Sequence, residues 1–225
     1  MKIAGCKWQA ADYFAIRHSQ LAIFKSEAEI NIPGAGVKEL CQIDSVSPVS
    51  GTFVPGVHQR GDLKPKLILI GGEAWTGKST CAKRLYTRLY NSAWLDGDDV
   101  WRVNPWSVDD PRLRTSDINM AFVVQTYLQS RFDYVILSSI VLSEPSITAS
   151  ILERIGGVEY DLLSFTLLCD EATLTERAKQ RDGNANPSFI VLERTRALAD
   201  TFKIDSARKN PDEVVDEMLA VILGA

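Results

Sequence analysis

From residue 66 onward the apolar positions fall into two alternating rhythms. Short, nearly unbroken apolar runs occur at Lys66 to Ile70, Ala93-Trp94-Leu95, Tyr134-Val135-Ile136-Leu137, Leu162 to Leu168 and Phe202-Lys203-Ile204. Runs of that length, buried on both faces, predict parallel strands. Between them the apolar residues are spaced three or four apart. Cys81, Leu85 and Leu89 share one face after Ser79, and Val214, Val215, Met218, Leu219 and Ile222 share one after Asn210-Pro211-Asp212-Glu213. These spacings predict helices. Further helical patterns run over 116–130, capped by Ser116 or Asp117, over 145–155 with Pro145 in the first turn, over 171–181 and over 187–200. Strands separated by helices predict an α/β fold: a doubly wound parallel sheet of about five strands, with helices on both faces.

Residues 1–63 do not share this rhythm. Phe14, Leu21 and Phe24 have helix-compatible spacing, and Ala28-Glu29-Ile30-Asn31-Ile32 alternates like a half-exposed strand ended by Pro33-Gly34. Residues 44–65 hold Pro48, Gly51, Pro55, Gly56, Gly61 and Pro65 and read as loop or linker. The division expected is an N-terminal accessory segment over 1–63, packed as a small layer on a main domain over 66–225. An independent binding domain is the competing reading of the segment, and its role is open.

Bulk properties narrow the function classes. The 225 residues are 45% hydrophobic, so a sizeable core is available. A net charge of −4 argues against general binding to nucleic acid or acidic membranes. Cys6, Cys41, Cys81 and Cys169 are scattered without a Cys-x-x-Cys pair, so neither a zinc cage nor a disulfide framework is expected. Lys7, Asp12 and Arg17 interrupt any signal-peptide core, and no apolar window is long enough to span a bilayer. The expectation is a soluble cytoplasmic protein.

The chemistry concentrates directly behind the first apolar run. Gly72-Glu73-Ala74-Trp75-Thr76-Gly77-Lys78-Ser79 has the Gly-x-x-x-x-Gly-Lys-Ser spacing of a nucleotide-phosphate cradle (Walker A), followed by Thr80. Gly72 and Gly77 allow the turn that points successive N–H groups inward at phosphate oxygens. A helix starting near Lys78 adds the positive end of its dipole. Lys78 supplies a mobile charge, and Ser79 a hydroxyl for a magnesium ion bridging the phosphates. Trp75 is unusual beside phosphates; it can stack on a base or an acceptor ring, or pack at the domain edge.

Two further constellations accompany the loop. Asp96-Gly97-Asp98-Asp99 follows the second strand, at the edge where doubly wound sheets bind ligands. Asp98 is the first choice for a base that takes the acceptor proton, with Asp96 second and also a candidate for holding magnesium through water. Asp99 is read as a helix cap. Arg177 and Arg181 lie four apart on one helix face, suited to close over a transferring phosphoryl group, with Asp182-Gly183-Asn184 as a hinge. The bland alternative is a solvated face with ion pairs to Glu171 or Glu176. Arg194 and Arg196 are weaker candidates of the same type. Arg102 is either a grip for an anionic acceptor or a surface arginine. Trp94, Trp101 and Trp106 are read as core or lid packing, with an aromatic wall for an acceptor as the alternative, and His18 and His58 as structural or exposed.

With these residues in place, 66–224 resembles the small P-loop kinases of the adenylate-kinase-like group, among them adenylylsulfate kinase, gluconate kinase, shikimate kinase and chloramphenicol phosphotransferase. The resemblance rests on Gly72 to Thr80, Leu95 to Val100, Leu174-x-x-Arg177-x-x-x-Arg181 and Ile204-Asp205-Ser206. Residues 94–106 are most similar to uncharacterised bacterial nucleotide-kinase-like proteins. The resemblance implies a P-loop NTPase fold, ATP and magnesium as cofactors, and a small-molecule or nucleotide hydroxyl as phosphate acceptor. It implies that Asp98 is catalytic, that Arg177 and Arg181 belong to a mobile lid, and that Ser206 to Arg208 lie near the adenine. The third strand ends Leu137-Ser138-Ser139 without an acid, so magnesium is expected to depend on Ser79 and on waters held by Asp96 or Asp98.

Two other classes compete. A guanine-nucleotide switch needs Asn-Lys-x-Asp and Asp-x-x-Gly; Phe202-Lys203-Ile204-Asp205 lacks the asparagine, and Asp-x-x-Gly is absent from the chain. An ATPase motor needs a strand ending in Asp-Glu, and none of the five predicted strands, as bounded above, ends so. A non-enzymatic nucleotide-binding module, with 1–63 as its partner-binding part, is the remaining alternative.

Overall fold

The computed structural model describes residues 64–105 and 110–224. The readings made for residues 1–63, including His18 and His58, and for Trp106 lie outside the described residues. Five parallel strands form one sheet: β1 (Lys66–Gly72), β2 (Ser92–Asp96), β3 (Tyr134–Ser138), β4 (Asp161–Leu168) and β5 (Phe202–Asp205), in the order β2-β3-β1-β4-β5. Among the described residues, six α-helices connect and follow the strands: α1 (Lys78–Arg88), α2 (Ser116–Gln129), α3 (Pro145–Arg154), α4 (Glu171–Asp182), α5 (Leu192–Ala197) and α6 (Pro211–Leu223).

The two faces of the sheet explain the nearly continuous apolar runs. Ile68 and Ile70 of β1 point one way, into a core shared with Leu85 of α1 and with Val215 and Met218 of α6. Leu67 and Leu69 point the other way, toward Met120 and Val124 of α2 and Ile151 of α3. Both faces of β1 are covered, so alternation is erased and every residue from Leu67 to Gly72 is buried. Each fully buried Leu, Ile or Phe contributes about 1.5–3 kcal/mol. A small third cluster of Cys169, Leu174 and Leu192 lies under α4 and α5 and reaches Trp75 and Phe189.

Register then sets the site. Ile70 pairs with Ser138 on one side and Phe165 on the other, while Asp96 pairs with Ser138. The carboxyl ends of β1, β2 and β3 therefore lie side by side on one edge, with β3 between the other two.

Two local expectations about the helices are corrected. Helix α2 starts at Ser116, but neither Ser116 nor Asp117 caps it; the cap is Thr115, without a side-chain bond. Asp117 is used laterally, accepting the Ser150 hydroxyl at 2.8 Å. The pattern over 187–200 yields only α5, because the Val191 N–H, which opens that helix, is taken by the Glu73 carboxylate at 2.7 Å. The final helix holds as expected, with Asn210 and Glu213 forming a reciprocal capping box.

Candidate active site

The loop between β1 and α1 is built by backbone geometry first. Gly72 has φ 143°, and a Cβ there would lie 2.7 Å from the Leu167 carbonyl and 2.9 Å from Thr76 Oγ1. Only glycine fits. Its N–H donates to the buried Ser143 hydroxyl at 3.2 Å, a brace from the turn after β3. Gly77 caps α1 with φ 96°, again a conformation suited to glycine. Thr76 folds back so that its hydroxyl donates to the Glu73 carbonyl at 2.8 Å. The Lys78 ammonium donates to the same carbonyl at 2.8 Å. Ser79 and Thr80 are exposed in the first turn of α1.

Glu73 is the anomaly in this loop. A carboxylate among amides suited to phosphate would repel the ligand if it faced it. Instead it is fully buried and turned away. One oxygen accepts the Ala74 N–H at 2.8 Å and the other the Val191 N–H at 2.7 Å. Nothing in the motif spacing reveals this; an acid in a phosphate loop is the one signal that could have.

Trp75 also departs from the usual loop, with φ 61°. The left-handed conformation costs a non-glycine residue about 1–2 kcal/mol. It is offset by three contacts. The indole N–H donates to Asp182 at 2.6 Å, the ring meets Phe189 edge-on at 6.4 Å, and the Arg181 guanidinium lies 5.9 Å from its centroid. Arg181 foremost, then the Trp75 indole, hold the Asp182 carboxyl below the usual carboxylate range.

The arginine pair is placed as follows. Arg177 donates to the Trp75 carbonyl at 3.3 Å and the Ser206 carbonyl at 2.7 Å, so it fastens the loop to the segment after β5. Arg181 pairs with Asp182, rather than with Glu171 or Glu176, at 2.9 Å. Gly183, the expected hinge, ends α4 with φ 69°. Ser206 is buried with its hydroxyl 3.0 Å from the carbonyls of both Thr76 and Leu168. Arg194 pairs with Glu144 and Arg196 with Glu193.

The acidic turn after β2 is a short 3-10 helix, and its cap is a second correction to the sequence reading. Asp96, not Asp99, caps it, accepting the Asp98 N–H at 3.1 Å. Asp99 instead accepts from Arg102 Nε at 3.0 Å. Gly97 is required for space rather than for a turn: a Cβ would lie 2.5 Å from Ser139 Oγ and 2.7 Å from Ser139 Cβ. The absent acid at the end of β3 is explained too, since Ser138 is buried and accepts the Trp94 indole N–H at 3.0 Å.

Two cavities flank the loop and share Trp75. One, of about 460 Å³, lies between Thr76, Gly77, Thr80 and the residues Arg177, Arg181 and Ser206. The other, of about 850 Å³, is walled by Glu73, Gly97, Asp98, Trp101, Met120 and Ile190. Lys78 feels both aspartates. Burial pushes its ammonium down to about 8, with Glu73, Asp98 and Asp96 pulling the other way and Arg181 adding to the depression. Burial outweighs the three carboxylates, so an entering anion would favour the charged form further.

Magnesium fits these residues only as a shared ligand. Among the described residues no three His, Cys, Asp or Glu side chains gather around a metal position. Magnesium takes few protein ligands and keeps waters and phosphate oxygens; the exposed Ser79 hydroxyl and the Asp96 carboxylate are hard oxygen donors of that kind. Among the described residues, no helix is long and apolar enough to cross a membrane.

No family model and no curated protein matches the chain. Solved structures do match. A tunicamycin resistance protein from Deinococcus radiodurans is 19% identical, with a TM-score of 0.56, covering 71% of this chain and 96% of that one. A sugar kinase from Janibacter sp. is 14% identical, with a TM-score of 0.54 and coverages of 70% and 94%. APS kinase from Mycobacterium tuberculosis, solved in complex with AMPPNP and APS, is 14% identical, with a TM-score of 0.53 and coverages of 72% and 99%. The chain therefore shares the α/β fold of these solved structures, two of which are named as kinases, and in it the loop Gly72 to Ser79 joins β1 to α1.

Proposed function

We propose that the protein transfers the γ-phosphoryl group of ATP to a hydroxyl of a small molecule, with magnesium. The observation that carries this reading is the pair of cavities meeting at Trp75 of one loop, with Lys78 in that same loop and Asp98 on the wall of the larger cavity. A nucleotide base and ribose are assigned to the smaller cavity, and the acceptor to the larger.

In this reading the loop amides and the start of α1 hold the triphosphate, and Lys78 neutralises its terminal oxygens. Ser79 and Asp96 would hold magnesium, which supplies charge neutralisation at the β- and γ-phosphates when bound. Asp98 accepts the proton of the acceptor hydroxyl. The acceptor oxygen forms a bond to the γ-phosphorus, the bond from that phosphorus to the β–γ bridging oxygen breaks, and ADP leaves. Arg177 orders the loop through the Trp75 carbonyl, and Arg181, on the wall of the smaller cavity beside Trp75, is assigned to reach toward the oxygens in transfer at the loop.

Purified protein incubated with Mg·ATP and a panel of alcohols, read by ADP release and phosphorus NMR, tests the proposal. Turnover with at least one acceptor is expected, and Asp98→Asn retains ATP binding but loses transfer. An Asp98→Asn enzyme turning over at the parent rate removes the base assignment. ATP binding without product from any acceptor favours a regulatory module.

A further inference from the structure

The larger cavity carries a statement about its occupant that the kinase reading alone does not make. Its walls include Val103, Leu113, Met120, Val141 and Ile190, drawn from four separate segments. Its charged residues are Glu73, Asp98 and Arg102. Two of these are acids. Arg102, the only cation among the described lining residues, donates to Asp99 and keeps 75% of its side chain exposed. It is neutralised and stands in water. Lys78 belongs to the phosphate loop. An anionic acceptor entering here would leave its own hydration and meet carboxylates and apolar walls, with no free cation among the described residues to receive it.

One polar group on these walls is unspent. The Trp101 indole N–H has no accessible surface and no hydrogen-bond partner. A buried donor without an acceptor is costly, and native structures rarely leave one. Trp101 lines this cavity, and a rotation of its ring on binding would bring the N–H to a ligand oxygen or nitrogen. Asp98 lines the same space and can accept the hydroxyl proton of an occupant.

Resting on the kinase reading, we infer that the acceptor is an uncharged, ring-sized alcohol, predominantly apolar, that offers Trp101 one hydrogen-bond acceptor. Nucleoside monophosphates and sugar acids are excluded as preferred acceptors. Trp101 is a specificity residue: it binds the acceptor and takes no part in proton or phosphoryl transfer.

Matched pairs differing in charge test this. Thymidine against thymidine monophosphate, adenosine against adenosine monophosphate, and 1-phenylethane-1,2-diol against mandelate are titrated by calorimetry, with AMP-PNP saturating the smaller cavity. In each pair the uncharged member is expected to bind at least about tenfold more tightly. Trp101→Phe keeps the ring and loses the N–H; it is expected to weaken the uncharged members about fivefold while leaving AMP-PNP affinity unchanged, which also shows that the variant folds. Equal or tighter binding of the anionic members, binding of neither member, or an unchanged Trp101→Phe variant overturns the inference. AMP-PNP is titrated first: its failure to bind sinks the kinase reading, while the same pairs titrated without nucleotide still read the cavity's charge preference.

Discussion

The Glu73 carboxylate accepts the backbone N–H of Val191 at 2.7 Å, joining the phosphate loop to a residue 118 positions later. That bond makes the loop and the segment entering α5 one mechanical unit. Trp75 adds a second tie through Asp182 and a third through Phe189. The stretch between Asp182 and Val191 is thus anchored to the loop at both ends.

Removing the first tie should be measurable without any substrate. Glu73→Ala leaves two N–H groups without their acceptor, and is expected to lower unfolding free energy in urea by about 1–3 kcal/mol. Glu73→Gln retains one carbonyl acceptor and should fall between the parent and Ala. If both variants unfold like the parent, the tie is not structural.

Lys78 predicts a pH dependence with a definite sign. Its folded value of about 8 lies below the ordinary 10.5. The empty folded state therefore disfavours the charged lysine fully below about pH 8, and stability gains as pH rises from about 8 to 10.5. A bound triphosphate favours the charged form, so binding takes up protons. Uptake should be about a tenth of a proton per nucleotide at pH 7 and about three-quarters at pH 8.5. Calorimetry in buffers of different ionisation enthalpy reads this directly; proton release, or no change between the two pH values, contradicts it.

The contact between Gly97 and Ser139 sets the position of the acidic turn. Gly97→Ala drives a methyl against the Ser139 side chain and should cost about 1–3 kcal/mol. Ser139→Gly in the same chain removes the obstruction. The double variant is expected to recover most of the loss, giving a coupling of at least about 1 kcal/mol in a double-mutant cycle. Simple additivity would mean the turn relieves the clash elsewhere.

Much of this arrangement is legible in the sequence, and the failures share a cause. The strands could be read because β1, β3 and β4 are buried long enough to erase alternation, and the loop because its glycines are forced by backbone geometry. What could not be read depends on partners distant in the chain. The helical pattern at 187–200 looks continuous until Glu73 claims the Val191 N–H. Asp96, Asp98 and Asp99 are chemically equal candidates for a cap until Arg102 takes Asp99. Trp101 reads as packing or as an aromatic wall, and only the three-dimensional structure shows that its indole N–H is buried without a partner.

Calorimetric titration of Mg·AMP-PNP into the parent, Lys78→Ala and Asp98→Asn tests the central claim most directly. The account predicts saturable one-to-one binding to the parent, weakened by about a hundredfold or more in Lys78→Ala through loss of a charged phosphate contact, and preserved in Asp98→Asn. No saturable heat with the parent, or Lys78→Ala binding as tightly as the parent, would contradict it.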